Sequence, residues 1–189
     1  MMPLRELGLL PGDILLSNSR TRASLWIKIV QLLRSPDQRS DVSHAAVCMG
    51  YLLTPGAVVE SLLTVRETPL TKYEGGEVVI WRRRGLTERE RFNIAVAAQS
   101  QIGSWYAPAK LALFALDALT GLDWSGYFGW QSFAVCSGMV AWAIEYALGP
   151  KDAFGRPWHT LTPSDIDSFC LANQHEWELV YSSIKGRET

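Results

Sequence analysis

Three cysteines and three histidines are the side chains in this chain best suited to nucleophilic chemistry. A thiol attacks carbon well only as thiolate, and both a neighbouring imidazolium and the positive end of a helix dipole favour that form. Cys136 stands where an aromatic, glycine-bearing loop (122–135) meets a well-bounded helix, "CSGMVAWAIEYALGP" (136–150), with Gly138 keeping the first turn uncluttered. Cys48 lies within a strand, and Cys170 lies late in a helix whose negative end disfavours a thiolate. Cys136 is therefore the cysteine whose local context lowers its pKa. On local context alone it reads first as a small buried hydrophobe at a helix start. An odd, sparse cysteine set without C-x-x-C spacing makes neither a disulfide framework nor a zinc ribbon, and a reducing compartment is the simpler expectation.

His44, in "DVSHAAVCMG" (41–50), is the candidate base. Strand alternation puts Val42, His44, Ala46 and Cys48 on one face, and Val58, Glu60 and Leu62 on one face of the next strand. His44 and Glu60 lie symmetrically about Leu52, so a hairpin centred there sets them opposite each other, or nearly so across a bulge. A carboxylate beside an imidazole fixes its tautomer and stabilises its charged form. The other possibility is a buried His–Glu pair with a purely structural role. His159, in the polar stretch "GRPWHTL", reads as surface or packing; His175, opening "HEWEL", is the more serious rival base.

These residues need elements to hold them. "LLPGDILLSN" (9–18) reads as a Pro-Gly turn and a strand, "VSHAAVCMG" and "AVVESLL" (57–63) as two more, and "EVVIWRR" (77–83) as another. Helical spacing appears over 22–34, followed by a polar loop at 35–41. "LTERERFNIAVAAQSQIG" opens with Thr87 and Glu90 in capping-box spacing and closes at Gly103. Helices follow over 107–121, 136–150 and 161–172, the last with Thr162 as cap, Pro163 at the first position and Asp165 at the third. "HEWELVYS" (175–182) is a closing strand. The expectation is a single α+β domain over 1–189: a small antiparallel sheet packed against helices, with the nucleophile at a helix N-terminus.

The order "GDILL", "SHAAVCMG", "VVES", "CSGMVAWA", "LTPSDI" resembles the circularly permuted NlpC-type branch of the papain-like cysteine hydrolases. In that branch the histidine strand precedes the cysteine helix, the reverse of papain's order. The resemblance runs from about Gly12 to Ile166. It implies a nucleophile at Cys136, a general base at His44 and an orienting carboxylate at Glu60, and it prefers His44 over His175. Asp13 matches a family position read here as structural, and Tyr106 matches an often aromatic position that lines the cleft. The implied reaction is acyl transfer through an acyl-enzyme. The backbone N–H of Cys136 is the first oxyanion donor, and Gln131, a few residues upstream, is a side-chain candidate for the second. No metal or organic cofactor is required.

Substrates in the superfamily include peptide and amide bonds, often in bacterial cell-wall peptidoglycan, and acyl chains handled by relatives similar to lecithin:retinol acyltransferase. Helix 107–121 and the aromatics Trp124, Tyr127, Phe128, Trp130 and Phe133 can floor an acyl groove, stack on sugars or peptides, or simply be core. A non-catalytic binding module is the third possibility. Net charge of −1 argues against nucleic acid as a partner, and "WRRRG" (81–85) reads as a solvated strand end. No stretch reads as a membrane span or a secretory signal, although membrane contact stays open. The expected location is therefore the cytoplasm, or outside the cell by way of a dedicated secretion system.

Overall fold

The computed structural model describes residues 3–18, 42–51, 53–62, 64–104, 120–122, 136–149 and 151–184. The candidate segments 22–34, 35–41 and 107–119, and most of the aromatic loop 122–135, lie outside these.

The Pro11–Gly12 turn feeds β1 (Ile14–Ser17), followed by β2 (His44–Cys48), β3 (Ala57–Ser61), β4 (Val65–Pro69) and β5 (Val78–Arg83). Helix α1 (Glu88–Ser100), helix α2 (Cys136–Leu148), helix α3 (Pro163–Ala172) and strand β6 (Trp177–Ser182) complete the described elements. The strands form one antiparallel six-stranded sheet in the order β4-β3-β2-β1-β5-β6. The architecture is α+β, as the alternation of short apolar runs and capped helices implies.

Both faces of the central strands are covered, which is why they read as continuous apolar runs. Leu16, Ala45, Val47, Val59, Val79 and Trp81 belong to the cluster that includes α1 and α2. Leu15, Ala46, Cys48, Val58 and Ile80 face the other way, beneath Leu4 and Leu9 and a 3-10 turn, Leu70–Tyr73. The predicted capping box of Thr87 with Glu90 forms at α1, and the predicted cap Thr162 forms one with Asp165 at α3. Helix α1 stops at Ser100 and continues as turns to Gly103, whose N–H donates to Val65 O at 2.9 Å.

The edge strand β4 was not anticipated. Its residues Arg66, Glu67 and Pro69 are exposed, and an edge strand bearing charge and proline resists pairing with other chains. The same composition hides it from an apolar-run reading.

"GDILL" has a structural task, as expected for Asp13. Its buried carboxylate accepts from Leu10 N at 2.8 Å and from Arg82 Nε and Nη2 at 2.9 and 2.6 Å. Arg82 is thus no part of a solvated strand end, contrary to the expectation for "WRRRG"; the buried carboxylate draws it in. Arg84 does reach the surface, 3.7 Å from Glu178. Close by, the ends of β1 and β2 meet so tightly that a Cβ at Gly50 would lie 2.4 Å from Pro11. Asp13→Ala strands two guanidinium groups, Arg82 and Arg91, without their buried counter-charge. It is expected to cost about 3 kcal/mol, read as a lower urea midpoint at unchanged slope.

Candidate active site

Cys136 is the first residue of α2 and is buried. Its place in the first turn follows from what anchors that turn. Ser137 Oγ donates to Leu161 O at 2.6 Å, tying the helix start to the segment that leads into α3. The "LTPSDI" stretch is therefore a latch: Leu161 supplies the acceptor, and the Thr162–Asp165 capping box fixes the backbone just after it.

His44 is the first residue of β2, paired across to Ser17 of β1. Its Nε2 lies 2.9 Å from Glu60 Oε2, and its ring hydrogen-bonds the Cys136 side chain. With Nε2 on the carboxylate, Nδ1 is the nitrogen left for the sulfur. Sulfur, imidazole and carboxylate thus form one connected row, with α2 contributing from the helical layer and Glu60 from β3. Glu60 does not stand opposite His44. It pairs with Ala46, because the hairpin is centred one residue later than Leu52. His44 is its diagonal neighbour on the same face, and no bulge is needed to bring them together.

Burial opposes ionisation of the Cys136 thiol, but the His44 side chain and the N–H groups of Ala45 and Ser137 overcome it and lower its pKa. Burial by itself would lower the His44 pKa as well; the bonds to Cys136 and Glu60 outweigh it and raise the imidazole to about 9. Cys48 and Cys170 go the other way, pushed up by burial and by nearby carboxylates. Of the three cysteines, Cys136 alone sits where thiolate is favoured.

Glu60 is fully buried yet charged, because donors surround it. Thr68 Oγ1 and Lys72 Nζ each approach Oε1 at 2.6 Å, with Arg66 Nε at 3.4 Å. Tyr73 Oη donates to Oε2 at 2.5 Å, the oxygen that also faces His44. Burial would raise the Glu60 pKa, but His44, Lys72, Thr68 and Tyr73 hold it well below the usual carboxylate range. Tyr73 also lies nearly parallel to the imidazole, 9° between planes and 6.4 Å between centroids.

None of Thr68, Lys72, Tyr73 or Arg66 was singled out from the sequence. A recognised β4 would have exposed two of them, since Arg66 pairs with Glu60 and Thr68 follows on the same face. Lys72 and Tyr73 come from a 3-10 turn after Pro69, which has no periodic signature. Of the other sequence candidates, Gln131, Tyr106 and Trp130 lie outside the described residues. His175 precedes β6, three strands from β2 in the sheet, roughly 14 Å at strand spacing. Its side chain is 73% exposed, with Glu176 at 3.4 Å. His159 lies in a 3-10 turn edge-on to Trp158.

An antiparallel sheet whose histidine strand packs on a cysteine-headed helix defines an α+β protein with a thiol–imidazole–carboxylate row. Among solved structures, it is similar to the metalloprotein yiiX from Escherichia coli O157:H7, described as DUF1105. The TM-score is 0.55 and the identity 25%, over 76% of this chain and 68% of that one. No protein-family model matches the chain, and neither does any curated protein.

Proposed function

We propose that this protein is a cysteine-dependent hydrolase of the circularly permuted NlpC type. Its substrates are amide or peptide bonds, in bacterial cell-wall peptides or related small amides. The single observation that carries this reading is the connected row Cys136–His44–Glu60, with the sulfur at a helix start and favoured as thiolate.

The thiolate attacks the substrate carbonyl carbon, and the C–O π pair moves onto oxygen. The positive end of α2, with the Cys136 N–H, faces the resulting oxyanion. As the tetrahedral adduct collapses, the C–N bond breaks and its electron pair takes the His44 proton, so the amine leaves neutral. The imidazole then removes a proton from water as its oxygen bonds to the acyl carbon; when this second adduct collapses the C–S bond breaks, its electron pair stays on sulfur as thiolate, and the acid departs. Glu60 holds the ring in line for both transfers.

The structural neighbour is a metalloprotein, and thiolate and imidazole are common metal ligands. The residues here do not fit that use: one ring nitrogen is on Glu60 and the other on sulfur, while the carboxylate oxygens already face Thr68, Lys72, Tyr73 and His44.

Iodoacetamide is expected to label Cys136 at neutral pH faster than a free thiol, with labelling lost in Cys136→Ala. Incubation with muropeptides is expected to produce new peptide or amine termini. An ordinary alkylation rate would favour a binding module, and release of fatty acid from phospholipid vesicles without new termini would favour a lipid-acyl enzyme.

A further inference from the structure

The donors around Glu60 exceed what orienting His44 requires. The groups facing the imidazole among the described residues are Cys136 from α2 and Glu60 from β3, with Tyr73 stacked beside it. Lys72 and Arg66 reach it through the carboxylate, and Cys48 lies at the far end of its own strand. Oε1 carries Thr68, Lys72 and the more distant Arg66; Oε2 is shared between His44 and Tyr73. A buried carboxylate bound to an imidazolium alone would hold the proton strongly, and an over-stabilised imidazolium is a poor general acid.

We propose that the 3-10 turn Leu70–Tyr73 tempers the grip of Glu60 on His44. Tyr73 Oη takes up a lone pair of Oε2, the oxygen His44 uses, and Lys72 Nζ draws carboxylate charge towards Oε1, leaving His44 able to surrender its proton. Both are positioning residues acting through Glu60. Burial and the Glu60 charge push the Tyr73 hydroxyl far above its ordinary value, so it keeps its proton and donates a hydrogen bond to the carboxylate. The Lys72 side chain is 40% exposed, so its charge can be removed with little disturbance of the core. The inference rests on the catalytic reading of His44 and deepens it.

The deciding measurement, the His44 titration, uses no substrate. With only three histidines in the chain, the His44 ring can be assigned by NMR as the resonance missing from His44→Gln, and its titration followed. In the wild-type chain the midpoint is expected near 9. Tyr73→Phe keeps the ring and removes the donor, and should raise the midpoint by about half to one pH unit. Lys72→Met should raise it too, while Lys72→Arg should restore the wild-type midpoint. Turnover at neutral pH should fall about fivefold in Tyr73→Phe, with KM unchanged and the loss shrinking as pH rises. A merely structural role would not move the midpoint. A wild-type midpoint at the ordinary 6.5, with Cys136 alkylated no faster than a free thiol, would sink the catalytic reading itself. A midpoint near 9 that Lys72→Met and Tyr73→Phe leave unmoved, or lower, would overturn the tempering role alone. If Tyr73→Phe does not fold, the Lys72 pair decides.

Discussion

Replacing His44 with alanine is expected to slow turnover by about a thousandfold or more, as removal of a triad member does elsewhere. The fold should survive, because His44 begins β2 rather than filling its middle. Two losses combine. The leaving amine has no proton donor, and the thiol loses the partner that favours its ionisation. Burial is the largest influence on Cys136 and it opposes the thiolate. Without the imidazole, the Cys136 pKa should rise above that of an ordinary thiol rather than return to it. Iodoacetamide labelling across pH reads this directly: the low-pH limb of the wild-type profile should move into the alkaline range. Turnover close to wild type in His44→Ala would remove the imidazole from the reaction, and His175, exposed and far along the sheet, would then have to be reconsidered.

Glu60→Ala should cost more stability than any other single change at the site. The carboxylate is fully buried, and its loss leaves His44, Thr68 and Tyr73 facing an empty acceptor position. Breaking a buried ion pair by removing one partner costs roughly 3–5 kcal/mol. Lys72 and Arg66, 40% and 54% exposed, can turn to water, so about 3 kcal/mol is expected from urea unfolding. The pH dependence follows from the direction of the shift. The Glu60 pKa is lower folded than unfolded, so its contribution is complete above the ordinary 4.5 and is lost as pH falls towards the folded value. The stability gap between wild type and Glu60→Ala should therefore be widest near neutrality and close in acid. A gap that stays constant down to pH 2 would show that packing, not charge, holds the site. Glu60→Gln keeps the shape and loses the charge; it should slow turnover less than His44→Ala, since it disturbs orientation more than proton transfer.

Much of this architecture is legible from residue order alone, for a local reason. Thr87 with Glu90 and Thr162 with Asp165 satisfy N-terminal amides three residues away, so their boxes need no tertiary help. The runs "ILL", "AAVC", "AVV" and "VVIW" mark central strands because both faces of the sheet are covered. The same patterning brings Cys136, His44 and Glu60 forward as residues worth joining. What the chain order does not reveal is set by long-range geometry. The hairpin between β2 and β3 is displaced by one residue from symmetry about Leu52, and only the fold of its loop decides that. Asp13 draws Arg82 out of an apparently solvated cluster, a contact between residues far apart in the chain. Above all, the donor shell of Glu60 comes from an edge strand and a 3-10 turn without periodicity. Composition and spacing identify which groups can do chemistry, because those properties are local. Tertiary structure alone decides how tightly each proton is held, because that depends on which charges and dipoles converge on a buried atom from elsewhere in the chain.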